Sequence, residues 1–138
     1  MTSGRRRFVG LLVGLAAGAA LLAACGGSSK PSYCSSLTNL KNSIKAVPST
    51  KVVQNGTNAL KSALTKVEDD AKAVVSGAKS DFPNETSALE SSVNALATSA
   101  KALASNPSAA AVSQTVSDVS AVSTSVKNFS SAASSKCG

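Results

Sequence analysis

The residues of this chain that could do covalent, acid–base or metal chemistry are three cysteines, seven carboxylates and one tyrosine, with no histidine among the 138 positions. Without histidine there is no Ser/His/Asp triad, no imidazole general base, no His-containing zinc site and no histidine-ligated haem. A cysteine nucleophile would lack its usual activating partner. Glu68, Asp69 and Asp70 form the one acidic cluster. On a helix, adjacent side chains diverge by about 100°, so three in a row cannot converge on one cation. Glu68 also stands four residues before Lys72, the favourable spacing for an ion pair. The Glu-x-x-His pairs of di-metal bundles are absent. Gly26-Gly27 has no strand before it and no Gly-Lys-Ser/Thr context, so it is not a phosphate loop. These residues point to no catalytic group, no metal and no cofactor; the chain reads as a non-enzyme.

Cys25 ends a segment with a layout of its own. Arg5 to Arg7 make a basic start, Phe8 to Ala24 an apolar run of 17 residues, and small residues precede the cysteine. That is the three-part arrangement of a secretory signal. The run is shorter than the roughly 20 residues that cross a bilayer core, and Gly10, Gly14 and Gly18 weaken a permanent span.

Leu22-Ala23-Ala24-Cys25 resembles the lipobox of bacterial lipoprotein precursors: an aliphatic residue, two small residues and a cysteine. The resemblance covers the signal only. It implies a diacylglyceryl group on the Cys25 sulfur, cleavage before Cys25, and a mature chain that begins there, with palmitate or a similar acyl group on the new amino terminus in some relatives. Two acyl chains hold a protein stably where a single myristoyl chain is marginal. The implied location is the extracytoplasmic face of the cell membrane, and the membrane is then the one partner the sequence names. Arg5-Arg6-Arg7-Phe8-Val9 also resembles the twin-arginine export signal, although a general secretory signal with three arginines fits the same residues.

With residues 1–24 assigned to the signal peptide and 25–31 to the lipidated cysteine and a Gly/Ser leash, residues 32–138 remain for one domain. The mature chain keeps 11 lysines against 7 carboxylates, a formal +4. Those charges form no block and almost no aromatic residue accompanies them, so a nucleic-acid partner is not expected. Cys25 is given to the lipid, which leaves Cys34 and Cys137 as an even pair in an oxidising compartment and predicts a disulfide between them. In a bacterial protein the triplets beginning at Asn55, Asn84 and Asn128 are not read as glycosylation sites but as turn and cap residues.

The elements that position these residues are helical, since apolar residues recur at steps of three and four while strand-forming residues are scarce. The first helix is expected from Ser32 to Val47, with Leu37, Leu40, Ile44 and Val47 on one stripe and Pro48 as its stop. Ser49 or Thr50 can cap a second segment carrying Val53, Thr57, Leu60, Leu64, Val67, Ala71, Val74 and Ala78. Asp81 is expected to cap a third, with Pro83 in its first turn and Leu89, Val93, Leu96, Ala100 and Leu103 inward. Asn106 is expected to cap a fourth, whose stripe is Val112, Val116, Val119, Val122, Val126, Phe129 and Ala133. The second segment is too long for the first, and Asn55-Gly56 is the expected break or kink.

Antiparallel helices bring the chain back to its starting end only after an even number, so a Cys34–Cys137 bond independently favours four. The expected fold is all-α: a small up-down-up-down four-helix bundle closed by one disulfide, after a cleaved lipoprotein signal peptide. The expected function is a membrane-anchored surface module for interaction or structure, possessing a protein partner at the cell surface. The alternative is a lipid-anchored carrier that holds a small apolar or amphiphilic ligand in the bundle interior.

Overall fold

The computed structural model describes residues 29–47 and 52–138, with side chains in the second stretch from residue 58 onward. Cys25, the signal segment, the Pro48 stop, the Ser49/Thr50 cap and the side chains of Val53 and Thr57 lie outside the described residues. Five helices follow one another: α1 (Ser32–Ala46), α2 (Val52–Ala78), α3 (Pro83–Ser105), α4 (Ala109–Ala132) and a single turn, α5 (Ser134–Cys137).

Pairs of side chains fix the directions of the helices. From α1 to α2, Tyr33 reaches Asp81 just past the helix end and Ser43 reaches Asp70, so numbers rise on one side as they fall on the other. Ser92 with Ser125, and Ser99 with Asp118, give the same sense for α3 and α4. Cys34 with Cys137, and Lys41 with Ser130, give it for α1 and the C-terminal end. Each helix packs on its chain neighbours, and α4 closes the ring on α1 through a smaller contact. This is the up-down-up-down bundle. The end that holds Tyr33, Cys34, Asp81 and Cys137 is called the base below, and the opposite end the distal end.

The predicted stripes of the first three helices are the buried ones. Leu37, Leu40 and Ile44 with Val47 just beyond, Leu60 through Ala78 at steps of four and three, and Leu89, Val93, Leu96 and Leu103 form one core with Val122, Val126, Phe129 and Ala133. Ala100 is only partly buried against it. Four polar residues are buried too, and each is hydrogen-bonded: Ser43 to Asp70, Ser99 to Asp118, and Thr86 and Thr115 to carbonyls one turn back. That pairing is what makes their burial tolerable, since an unmade hydrogen bond costs about 1–3 kcal/mol.

Five expectations are corrected. The helix α2 runs without a break through Asn55 and Gly56. They sit within its first five residues, where several backbone N–H groups have no intrahelical partner anyway and a poor helix former disrupts little. Asp81 does not cap α3; Phe82 holds that position without a side-chain bond, and Asp81 is engaged elsewhere. Asn106 ends α3 by its backbone, and Ser108 is the true N-cap of α4, its hydroxyl accepting from the Ala111 N–H at 3.1 Å. Asn55 and Asn128 are inside helices rather than in turns or caps, while Asn84 lies in the first turn of α3.

The fifth correction concerns the stripe of α4, because Val112 and Val116 are 37 % and 60 % exposed. They lie on the row that, nearer the base, presents Ser130 to Lys41 of α1. From Ser130 to Val116 is about 21 Å of helix, whereas α1 continues past Lys41 for only about 8 Å. The row therefore outruns its neighbour, and Thr115 on the adjacent row is the buried residue instead, at 2 %.

This register gives a direct comparison between two residues of the same predicted stripe. Phe129→Ala, at a site with no exposure, should cost about 3–5 kcal/mol in urea unfolding. Val116→Ser should change stability by no more than about 0.5 kcal/mol. Equal losses at the two positions would show that α4 is rotated from the orientation described.

Candidate functional site

Most of the residues with chemistry meet at the base. Tyr33 is in the first turn of α1, where Pro31 sets the entry and Cys34 N–H bonds back to the Pro31 carbonyl at 3.0 Å. The first turn of α1 comes close to α2 at Tyr33 because position 77 is glycine. A Cβ there would stand 3.2 Å from that of Tyr33, so Gly77 permits this approach. The ring meets Phe82 and Phe129 edge-on, with centroids 6.0 and 6.2 Å away, and Phe82 and Phe129 are 5.4 Å from each other. Three of the four aromatic residues of the chain thus form one trio at edge-to-face geometry, an arrangement worth about 0.5–1.5 kcal/mol per pair beyond burial.

Below the trio, one carboxylate joins three segments. Tyr33 donates its hydroxyl to Asp81 Oδ2 at 3.0 Å, and Lys136 of α5 donates its ammonium to the same oxygen at 3.3 Å. Burial first, and then the bond to the Asp81 carboxylate, push the Tyr33 phenol above its ordinary value. The hydrogen bond from Tyr33 first, and then that from Lys136, hold Asp81 below the usual carboxylate range. At neutral pH the phenol is a fixed donor and the carboxylate an occupied acceptor. Neither is poised to move a proton.

Cys34 and Cys137 form a disulfide, with Cα atoms 5.4 Å apart, across 103 residues of chain. The turn at Ala133 makes this possible: α4 ends there, and Lys136 and Cys137 bond back to the Ala133 carbonyl, carrying the last cysteine across to α1. Lys30 reaches the Cys137 carbonyl at 3.2 Å, so the entering chain is tied to the same turn. Tyr33, although next to Cys34 in the sequence, turns its ring into the aromatic trio.

The acidic cluster spreads as its spacing requires. Glu68 takes Lys72 at 2.8 Å, Asp70 takes Ser43 of α1 together with Lys66, and Asp69 is exposed. The Lys72 ammonium is held above its ordinary range by its bond to Glu68. Among the described residues no three Cys, Asp or Glu side chains gather into a group that could hold a metal ion, and no helix is long and apolar enough to cross a membrane. Cys25 lies outside the described residues. Sequence reasoning missed Asp81 as the junction, because an Asp before Phe-Pro reads as a cap; the scarcity of aromatic residues was the signal that Tyr33, Phe82 and Phe129 belong together.

Two measurements test this clamp. Replacing both cysteines, Cys34→Ser with Cys137→Ser, should lower the unfolding free energy by about 4–5 kcal/mol in the chain-entropy account of a loop this long. An unchanged urea midpoint would mean that the bond does not close the bundle. The Tyr33–Asp81 link should respond to pH at both ends. A depressed carboxyl stabilises above its ordinary range and loses that contribution as acid takes the solution through its lowered pKa. A raised phenol stabilises below about 10 and loses it as base passes its raised value. The difference in midpoint between the wild type and Tyr33→Phe should therefore be widest near neutrality and narrow in acid and in base; a difference independent of pH would break the assignment. No known protein family, no curated protein and no solved structure matches this chain.

Proposed function

We propose that this is a lipid-anchored surface protein, held by Cys25 on the extracytoplasmic face of the cell membrane, whose helical bundle serves as an interaction or structural module without catalytic activity. The observation that carries the reading is Leu22-Ala23-Ala24-Cys25 placed directly after a basic start and an apolar run. Only six residues, Gly26 to Pro31, separate that cysteine from the first residue of α1. A leash of six residues spans at most about 20 Å, so the base stands next to the anchor and the clamp sits at the point of attachment.

The fold supports that use. A clamp at the attachment end resists peeling of the first helix from the last, and the long helices carry the distal end away from the bilayer. The helix α2, with 27 residues, extends about 40 Å. What the bundle then offers outward is polar helical surface rather than a reaction site, since Tyr33, Asp81 and the cysteines are all committed at the base. Leu40, Leu89, Val67 and Val74 fill the interior with at most 1 % exposure. A ligand held between all four helices would have to displace them, which favours a module over a carrier of the interior type.

Full-length protein expressed in a bacterium tests the anchor. Wild type should partition into the detergent phase and show, by intact mass, a chain starting at Cys25 with a diacylglyceryl adduct. Cys25→Ser should lose the adduct and move to the aqueous phase or stay as uncleaved precursor. An unmodified amino-terminal region in the wild type would overturn the proposal.

A further inference from the structure

Between α2 and α3, toward the distal end, the seam does not close. The helix α3 faces α2 there with Ala97, Ala100 and Ala104, side chains too short to fill the space, and a trough of about 270 Å³ opens on the outside of the bundle with Leu64, Val93 and Leu96 as its floor. Its two ends differ in charge. At the distal end stand Lys61 and Lys101, neither with a carboxylate partner among the described residues. Toward the base, Glu68 is neutralised by Lys72 at 2.8 Å, and Val93 leads on into a second furrow of about 170 Å³ floored by Ala71 and Val75.

We infer that this trough binds a single-chain amphiphile with an anionic headgroup, the headgroup between Lys61 and Lys101 and the chain lying along Leu64, Leu96 and Val93 toward the second furrow. Three physical points select that class. An apolar trough takes a hydrocarbon chain chiefly because the chain's own apolar area leaves water; on the protein side the area covered belongs to Ala97, Ala100 and Ala104, since Leu64, Val93 and Leu96 are already nearly buried. Two ammonium groups at one end complement one anion, with charge-assisted hydrogen bonds to its oxygens. The volume lies just under the roughly 300–1,000 Å³ of sites that enclose drug-sized ligands, which fits one chain and not a two-chain lipid. The trough opens on the outer side of the core residues Leu64, Val93 and Leu96 and already stands open, so the ligand enters from solvent without parting the four helices. It is also independent of the anchor: the trough is the same whether Cys25 carries lipid or not.

The test is calorimetric titration of the full-length protein in zwitterionic nanodiscs, with empty nanodiscs of the same composition as reference. The probes are dodecanoate and dodecyl phosphate, which separate a fatty carboxylate from a lipid-type phosphate, with dodecanol as the uncharged comparison. Saturable one-to-one heat is expected for at least one anion. Lys61→Glu with Lys101→Glu, at exposed positions that leave the helical circular dichroism unchanged, should weaken that anion at least about tenfold and shift dodecanol less than twofold. Ala100→Trp, which fills the trough, should abolish binding of both. Absence of saturable heat for either anion, or an anion affinity unmoved by the double charge reversal, would overturn the inference. Correct lipidation of Cys25 alongside that failure would leave the anchor reading intact.

Discussion

Closure of the two chain ends on each other is the constraint that the bundle depends on. The helix α1 is the shortest of the four, with 15 residues, and its contact with α4 is the smallest in the ring. Seams of alanine, valine and serine allow close approach but bury little large apolar surface, so packing alone holds that edge weakly. The Cys34–Cys137 bond acts there, at the first turn of the weakly held helix. A loop of this length contributes on the order of 4–5 kcal/mol in the entropic account, against a typical net stability of 5–15 kcal/mol for a domain. The Asp81 junction and the aromatic trio then hold the same end from inside, fixing the α2–α3 turn onto both termini.

A bond at one end does not set the register along the helices, and small apolar side chains do so poorly, because a seam of similar residues can slide by a turn at little loss. Polar pairs supply what is missing. In each hairpin a serine on the ascending helix donates to an aspartate on the descending one, Ser43 to Asp70 and Ser99 to Asp118, and the residue four before each aspartate, Lys66 or Gln114, donates to the same carboxylate. Sliding by one turn would part each carboxylate from its cross-helix serine and leave it only the donor on its own helix, a loss that a mispacked alanine does not entail. The two hairpins are thus pinned by the same device, and Ser92 with Ser125 adds a second point to the latter.

Helix number, direction and most of the core were legible because periodicity and an even cysteine pair report long-range facts through local signs. The steps of three and four from Leu60 to Ala78 needed no knowledge of neighbours. What was not legible depended on neighbours. Val112 and Val116 continue an apolar row perfectly well; they are exposed because the helix that covers this row nearer the base has ended, and no residue of α4 records the length of α1. Asp81 reads as a cap by type and place, yet a phenol 48 positions away and a lysine 55 positions away claim its oxygen. Caps themselves were confused between Asn106 and Ser108 because proline follows the first and precedes the second. At the base, the disulfide followed from counting cysteines, whereas the trio required knowing that three helices and a turn meet there.

The way carboxylates are used inside also determines the field outside. Of seven acidic residues, Asp70, Asp81 and Asp118 bind donors from other segments, and Glu68 is matched by Lys72. The lysines are mostly not used in this way: Lys61 and Lys101 stand on the surface with no carboxylate partner among the described residues. The formal +4 for the chain from Cys25 onward is unchanged by these contacts, because each ion pair removes one charge of either sign and a hydrogen bond from a neutral donor removes none; what the contacts decide is where uncompensated charge remains. Fields at a surface are set by groups that remain uncompensated, and these raise the local concentration of oppositely charged species. Lys61 and Lys101 are uncompensated groups of this kind, both lining the distal end of the α2–α3 seam, so the bias toward anions belongs to that end of the seam and not to the helical surface as a whole.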